Sequence, residues 1–414
     1  MLLFVCIFAC ASLVAGAGQT IPQDKGNVNT INLHNAFSEA IGNFSVELLY
    51  HTTKSQNNNL IVSPITVWTV LAVTTEGALK NTRVQLTNAL RITKNRTITR
   101  AEFQNVAQWL VTNSSTVQLA RYNGLFVDKS VELEKSFGNV SKDYYDTSLV
   151  PVDFKNGVAT ANYINQLISS FTRGRIPKLV DSDSFGETRM IITSALYFKG
   201  QWTSPFNASS TTRRAFQDSN GVKIGEVNMM YNRFTYPFAN IKEIKARVIE
   251  LPYGNENRLS MLIMLPNPGV TLDEMFLSLK TVPLDTVFAE MRLSQEEFGE
   301  DDVDCYIPRF KIESNLDLTE TIRDGFHVYD LFDQTKSNLG RLAREPLYVT
   351  KVIHKAEIEV SEEGTTASAV TGAVFANRIG VVRFEANRPF SYLIVEKVTN
   401  TIVFGGIYQK PILY

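Results

Sequence analysis

Cysteine is almost missing from this chain. Of three in 414 residues, Cys6 and Cys10 fall in an apolar N-terminal run, which leaves Cys305 alone in the remainder. No disulfide can close within that remainder, so the chain must be held by a large packed core, which its length permits. Histidine is scarce as well: His34, His51, His327 and His354 are the four present, and none stands in a spacing such as H-E-x-x-H. A C-x-x-C pair, a G-x-x-x-x-G-K-[ST] phosphate loop and a G-x-S-x-G elbow are all lacking. The chain therefore reads as a non-enzyme, and neither a metal nor another cofactor is expected. It also lacks an excess of either charge. With 41 Lys and Arg against 42 Asp and Glu there is no global field to draw nucleic acid or an anionic membrane. A monomer is expected.

What is present begins with "MLLFVCIFACASLVAGAGQT". The apolar run followed by the small residues Ala15, Gly16 and Ala17 fits a secretory signal peptide cleaved after Ala17, and it is short for a membrane span. Acceptor triplets for N-glycosylation at Asn43, Asn95, Asn113, Asn139 and Asn207 agree with a secreted, extracellular destination. Residues 18–32 are polar and read as a loose segment ahead of one domain, 33–414. Cys305, in the strand-like "VDCYIPRF", reads as a buried apolar residue rather than a nucleophile. The basic residues Arg91, Lys94, Arg96 and Arg100 read as a solvated surface or, if they share one helix face, a weak polyanion patch.

The first half is mainly helical by its apolar periodicity, with helices expected over 33–50, 64–75, 84–90 and 101–111. Strands are expected at "TVQLARYNGLFV", "MIITSALYFKG", "ARVIELPYG" and "LSMLIMLP". In the last quarter they dominate, at "DCYIPRFKI", "VIHKAEIEV", "GVVRFEANRPFSYLIVEKV" and "NTIVFGGIY". Helices first and then strands that do not alternate with them predict an α+β fold.

One stretch fits neither a loop nor a buried strand. Residues 364–377, "GTTASAVTGAVFAN", carry no charge, although Glu362 and Glu363 precede them and Arg378 follows. A solvated loop usually carries charge and turn residues, and a core strand carries bulkier side chains than Thr, Ala, Ser and Gly.

The residues that address this puzzle also carry a family resemblance. "NLIVSPITVWTVLAVTTEGA", "INQLISSFTRGRIPKLV" with "ITSALYFKGQW", "ELPYGNENRLSMLIMLP", "YIPRFKIESNLDL", "VIHKAEIEVSEEGTTASA" and "NRPFSYLIVEKVTNTIVFGG" follow one another as in the serpins, so the chain resembles that family from about Asn59 to Gly406. The resemblance implies a single large α+β domain with three β-sheets, eight or nine helices and an exposed reactive loop over about 362–383. It implies a hinge formed by Glu362, Glu363, Gly364, Thr365, Thr366, Ala367, Ser368 and Ala369. After cleavage the loop would insert into the main sheet, an instance of strand addition driven by stored strain. A segment that must serve as loop and then as strand cannot carry charge, because a charge between packed neighbours costs about several kcal/mol. Gly364 supplies the widest backbone freedom at the pivot.

Counted as the family counts, fourteen residues on from Gly364 and back from "NRPF", the resemblance implies a scissile bond after Arg378, between Arg378 and Ile379. Arginine there suits a trypsin-like serine protease, whose pocket carboxylate pairs with a guanidinium, and a covalent acyl-enzyme complex is the expected partner state. Arg383 is a second, lower-ranked bait. A non-inhibitory carrier or chaperone, and a cross-class inhibitor of cysteine proteases, are the alternatives. The resemblance also implies a polar cluster that governs sheet opening, formed here by Ser63, Thr66, Ser194 and His354. The family usually has Asn at the place of Ser194 and often Trp at that of Leu167.

Overall fold

The computed structural model describes residues 28–56, 58–110, 116–256, 258–298, 302–363 and 382–414. Their architecture is α+β, with eight α-helices and three sheets among the described residues. The five-stranded sheet runs Phe310–Asp317, Lys351–Val360, Met190–Gly200, Val117–Asp128, Ser148–Val152 from edge to edge. A six-stranded antiparallel sheet runs Leu60–Val62, Thr401–Tyr408, Phe390–Glu396, Leu259–Pro266, Ala246–Tyr253, Phe238–Ile241. The four-stranded sheet runs Val382–Glu385, Val303–Pro308, Lys223–Phe234, Thr212–Gln217.

The helix Pro64–Gly77 is buried along its whole length, and its sequence shows why. It is apolar on nearly every face, as a helix inside a core must be. Pro64 starts it, where the missing N–H costs nothing. Its threonines return their hydroxyls to the carbonyls one turn back, Thr69 to Ile65 at 2.7 Å and Thr74 to Val70 at 2.7 Å, so no polar group is stranded. One large apolar core contains this helix and the inward side chains of the sheets, including Ile192, Leu196, Val352 and Ala356. A second, smaller core lies on the opposite face of the five-stranded sheet, where Ile164 and Ile168 of the helix Gly157–Phe171 meet Ile191, Ala195 and Ile353.

Several expectations coincide with the elements found, among them the strands Met190–Gly200 and Leu259–Pro266 and the helix beginning at Pro64. Others shift. The first helix spans Val28–Ser55, so it starts inside the stretch read as loose; once nucleated, a helix extends at small cost even through Asn and Thr. "DCYIPRFKI" is two strands that serve different sheets. The break falls at Arg309, whose N–H bonds Asn228 O at 2.8 Å, just after Pro308, which has no N–H to give. "GVVRFEANRPFSYLIVEKV" divides likewise into Val382–Glu385 and Phe390–Glu396 around Pro389.

Candidate functional site

The middle of the five-stranded sheet is an unusual place for a parallel pair. Lys351–Val360 and Met190–Gly200 lie side by side in parallel over eight registered pairs, from Lys351 opposite Ile191 to Ile358 opposite Phe198, while the outer contacts of both strands are antiparallel. The uncharged segment leaves directly from the end of Lys351–Val360, at the edge where Met190–Gly200 also ends. A strand that turned back there would run antiparallel to both members of the pair, the better hydrogen-bonding geometry. The helix Gly157–Phe171 and the chain that follows it cover this face: Lys355 Nζ bonds Lys178 O at 2.8 Å, and Asn315 Nδ2 bonds Leu179 O at 3.3 Å.

The root of the segment is tied down. Trp202 Nε1 donates to Ser361 O at 2.8 Å, Phe206 N–H donates to Glu362 O at 2.9 Å, and Trp202 stacks on Tyr253 at 4.4 Å. The Glu362 carboxylate is buried, accepts from Thr211 Oγ1 at 2.6 Å and pairs with Arg309 at 3.3 Å. Arg309 also donates through Nε to Tyr414 O at 2.7 Å, and the Tyr414 hydroxyl bonds Glu359 at 2.8 Å. The chain is thus fixed as far as Glu362. Of the hinge residues, Glu362 and Glu363 are described; Gly364, Thr365, Thr366, Ala367, Ser368 and Ala369, like Arg378 and Ile379, lie outside the described residues.

Beneath the parallel pair, Ser63, Thr66, Ser194 and His354 lie together in one chain of hydrogen bonds. His354 stands in register with Ser194 and is fully buried. The Ser63 N–H donates to His354 Nε2 at 2.9 Å, so the ring proton sits on Nδ1 and is given to Ser194 Oγ at 2.7 Å. Burial pushes the imidazole down from its ordinary 6.5 to about 3, which keeps it neutral. Ser63 Oγ donates to Val403 O at 2.8 Å and Thr66 Oγ1 to Ser63 O at 3.1 Å, tying the start of the buried helix to the six-stranded sheet. The short Ser194 side chain does reach His354. It leaves something else unmet: Asn123, registered opposite Ser194 on the other flank, is buried with an Oδ1 that has no hydrogen-bond partner among the described residues.

The segment re-enters the described structure at Val382–Glu385, which pairs in parallel with Val303–Pro308 at the edge of the four-stranded sheet. The family model described as serpin (serine protease inhibitor) matches residues 39–411. The chain belongs to the serpin family. Human Serpin B3 is 30% identical over 400 residues, covering 91% of this chain and all of the relative. Human Antithrombin-III is 31% identical over 390 residues, covering 90% and 82%. The crystal structure of a Manduca sexta serpin, serpin-12, superposes with a TM-score of 0.78 at 26% identity, over 90% of this chain and 98% of that one.

In this serpin the remaining predicted residues fall as follows. Arg383 sits inside a strand, its guanidinium 2.8 Å from Glu385 and over the Tyr306 ring, a poor posture for a bait. The basic cluster does not form one outward patch: Arg96 and Arg100 both turn to the buried Glu76, at 3.1 and 3.0 Å, and Arg91 pairs with Glu47 at 2.7 Å, while Lys94 stays exposed. Asn95, Asn139 and Asn207 are exposed; Asn95 caps the helix Arg96–Trp109, Asn43 is half-buried within the first helix, and Asn113 lies outside the described residues. Leu167 packs partly buried against the second core. Cys305 is fully buried and its thiol is pushed far up by desolvation, which removes it as a nucleophile. Among the described residues no helix is long and apolar enough to cross a membrane. Sequence reasoning missed Arg309, Thr211, Trp202 and Asn123. The first and third stand inside quoted motifs, "YIPRF" and "FKGQW", yet nothing in those motifs names Glu362 and Ser361 as their partners.

Proposed function

We propose that this serpin is a secreted suicide substrate that inhibits trypsin-like serine proteases. Residues 1–17 would be removed on export, and one domain with its reactive loop over about 362–383 would act outside the cell as a monomer. The protease serine attacks the Arg378 carbonyl carbon, the Arg378–Ile379 bond breaks, and the new amino group on Ile379 departs while Arg378 stays esterified to the enzyme. No side chain of the serpin takes part chemically.

The observation that carries this reading is the parallel pair with an uncharged segment rooted at its end. Prying apart eight registered pairs and seating one strand between them exchanges a single parallel ladder for two antiparallel ones. At roughly 1 kcal/mol net per hydrogen bond the gain is on the order of 10 kcal/mol, comparable with the net stability of a domain. That is enough to drag an attached protease out of its working geometry, provided insertion outruns hydrolysis of the ester.

The test is to mix the purified protein with trypsin. A complex that survives boiling in detergent, and a released peptide that begins at Ile379, is the expected result. Cleavage at that bond without a complex would move the carrier reading to first place.

A further inference from the structure

The outer face of the four-stranded sheet carries a cluster of arginine and tyrosine with no part in cleavage or insertion. Tyr306 has two guanidiniums over its ring, Arg214 at 4.3 Å and Arg383 at 4.7 Å from the ring centre, and stacks on Tyr231 at 4.8 Å. Glu385 pairs with both arginines, at 3.2 and 2.8 Å. Asp304 accepts from Arg233 at 2.7 and 2.9 Å and from the Tyr231 hydroxyl at 2.8 Å. These contacts fix the side chains before any partner arrives, which lowers the ordering cost of binding. Arginine and tyrosine are also the residue types that protein interfaces concentrate.

The exposed charge on this face is positive. Arg383 is 55% exposed and Arg214 32%, whereas the carboxylates of Glu385 and Asp304 are 23% and 18% exposed. The guanidiniums of Arg383 and Arg214 stand further out than the Glu385 that braces them, while Arg233, at 14%, is no more exposed than its partner Asp304.

The chain itself says what covers this face. Ile379 is three residues from Val382, where the strand resumes, and Arg378 is fifteen from Glu363. Three residues span at most about 10 Å, while a globular protease of about 200 residues has a radius of gyration of about 16 Å. A body that size, seated on a bond tethered so closely, overlaps the face around Arg383.

We propose that this face is a second contact surface for the target protease, and that it selects enzymes with acidic side chains beside the cleft on the leaving-group side. The inference rests on the inhibitor reading above. Surface charge of this kind acts mainly on the rate of association and on its salt dependence.

The experiment compares anionic and cationic trypsin, which share cleft specificity, by the second-order rate of forming the detergent-stable complex. At about 50 mM NaCl the anionic form is expected to react about tenfold faster, and the difference is expected to shrink at about 300 mM. Arg383→Glu and Arg214→Glu should each erase the preference while the released peptide still begins at Ile379. Arg383→Gln gives the same reading with a milder change. Equal rates for the two trypsins, or a preference that survives both reversals while complexes still form, would overturn the docking surface alone. No complex with wild-type protein and either trypsin would overturn the inhibitor reading and this one with it.

Discussion

His354 concentrates the residue-scale physics of this serpin. Its imidazole is neutral and buried, with one nitrogen accepting from Ser63 and the other donating to Ser194. The folded value of about 3 lies below the ordinary 6.5, so its contribution to stability is whole above 6.5 and drains away as the unfolded chain takes up a proton at lower pH. At about pH 5 the loss amounts to about 2 kcal/mol. His354→Gln keeps an acceptor and a donor in the cluster without a titrating group. We expect the variant to be less stable at neutral pH but to lose markedly less between about pH 7 and pH 5, as followed by denaturant unfolding at each pH. Parallel losses in the two proteins would place the proton elsewhere. Sequence alone yielded the four members of this cluster through a resemblance. It did not yield Asn123, because a lone Asn in a strand carries no sign of which neighbour it will face.

At the scale of elements, the strand Lys351–Val360 and the few residues after it form a stem that its neighbours hold in place. The stem is held by Trp202 and Phe206 through its main chain and by Arg309 and Thr211 through Glu362. Glu362→Gln would keep a hydrogen bond from Thr211 but remove the ion pair, at a cost of about 1–2 kcal/mol, since Arg309 is partly solvated. The expected outcomes are a lower midpoint in thermal unfolding and a faster loss of monomer on warming; an unchanged midpoint would mean the main-chain contacts suffice. Element positions were well legible where the pattern is local, as in Met190–Gly200. They were less so at Arg309, because a run of alternating residues does not reveal that it passes from one sheet to another. Only the backbone acceptor on Asn228 discloses that.

For the whole molecule, the same opening that would admit the chain's own segment would admit that of another copy. The segment is uncharged and free of proline, the composition of strands that pair between chains. Gentle heating below the unfolding midpoint is therefore expected to give linear polymers, visible as early peaks in size-exclusion chromatography. A chain that stays monomeric until it unfolds outright would contradict this. The overall class and the sheet-rich last quarter were readable because burial imposes a period on the sequence, whereas the pairing order of the strands is set by contacts hundreds of residues apart, such as Tyr392 hydroxyl to Leu60 O.

Tyr414 carries a consequence beyond its own contacts. Its main-chain oxygen is held by Arg309, the same side chain that holds Glu362, and its hydroxyl reaches Glu359 on the strand that would have to part from its neighbour. A fluorescent label on the exposed neighbour Leu413, which leaves that contact in place, would therefore report an opening of the sheet while residues 364–381 stay chemically untouched and free to meet a protease.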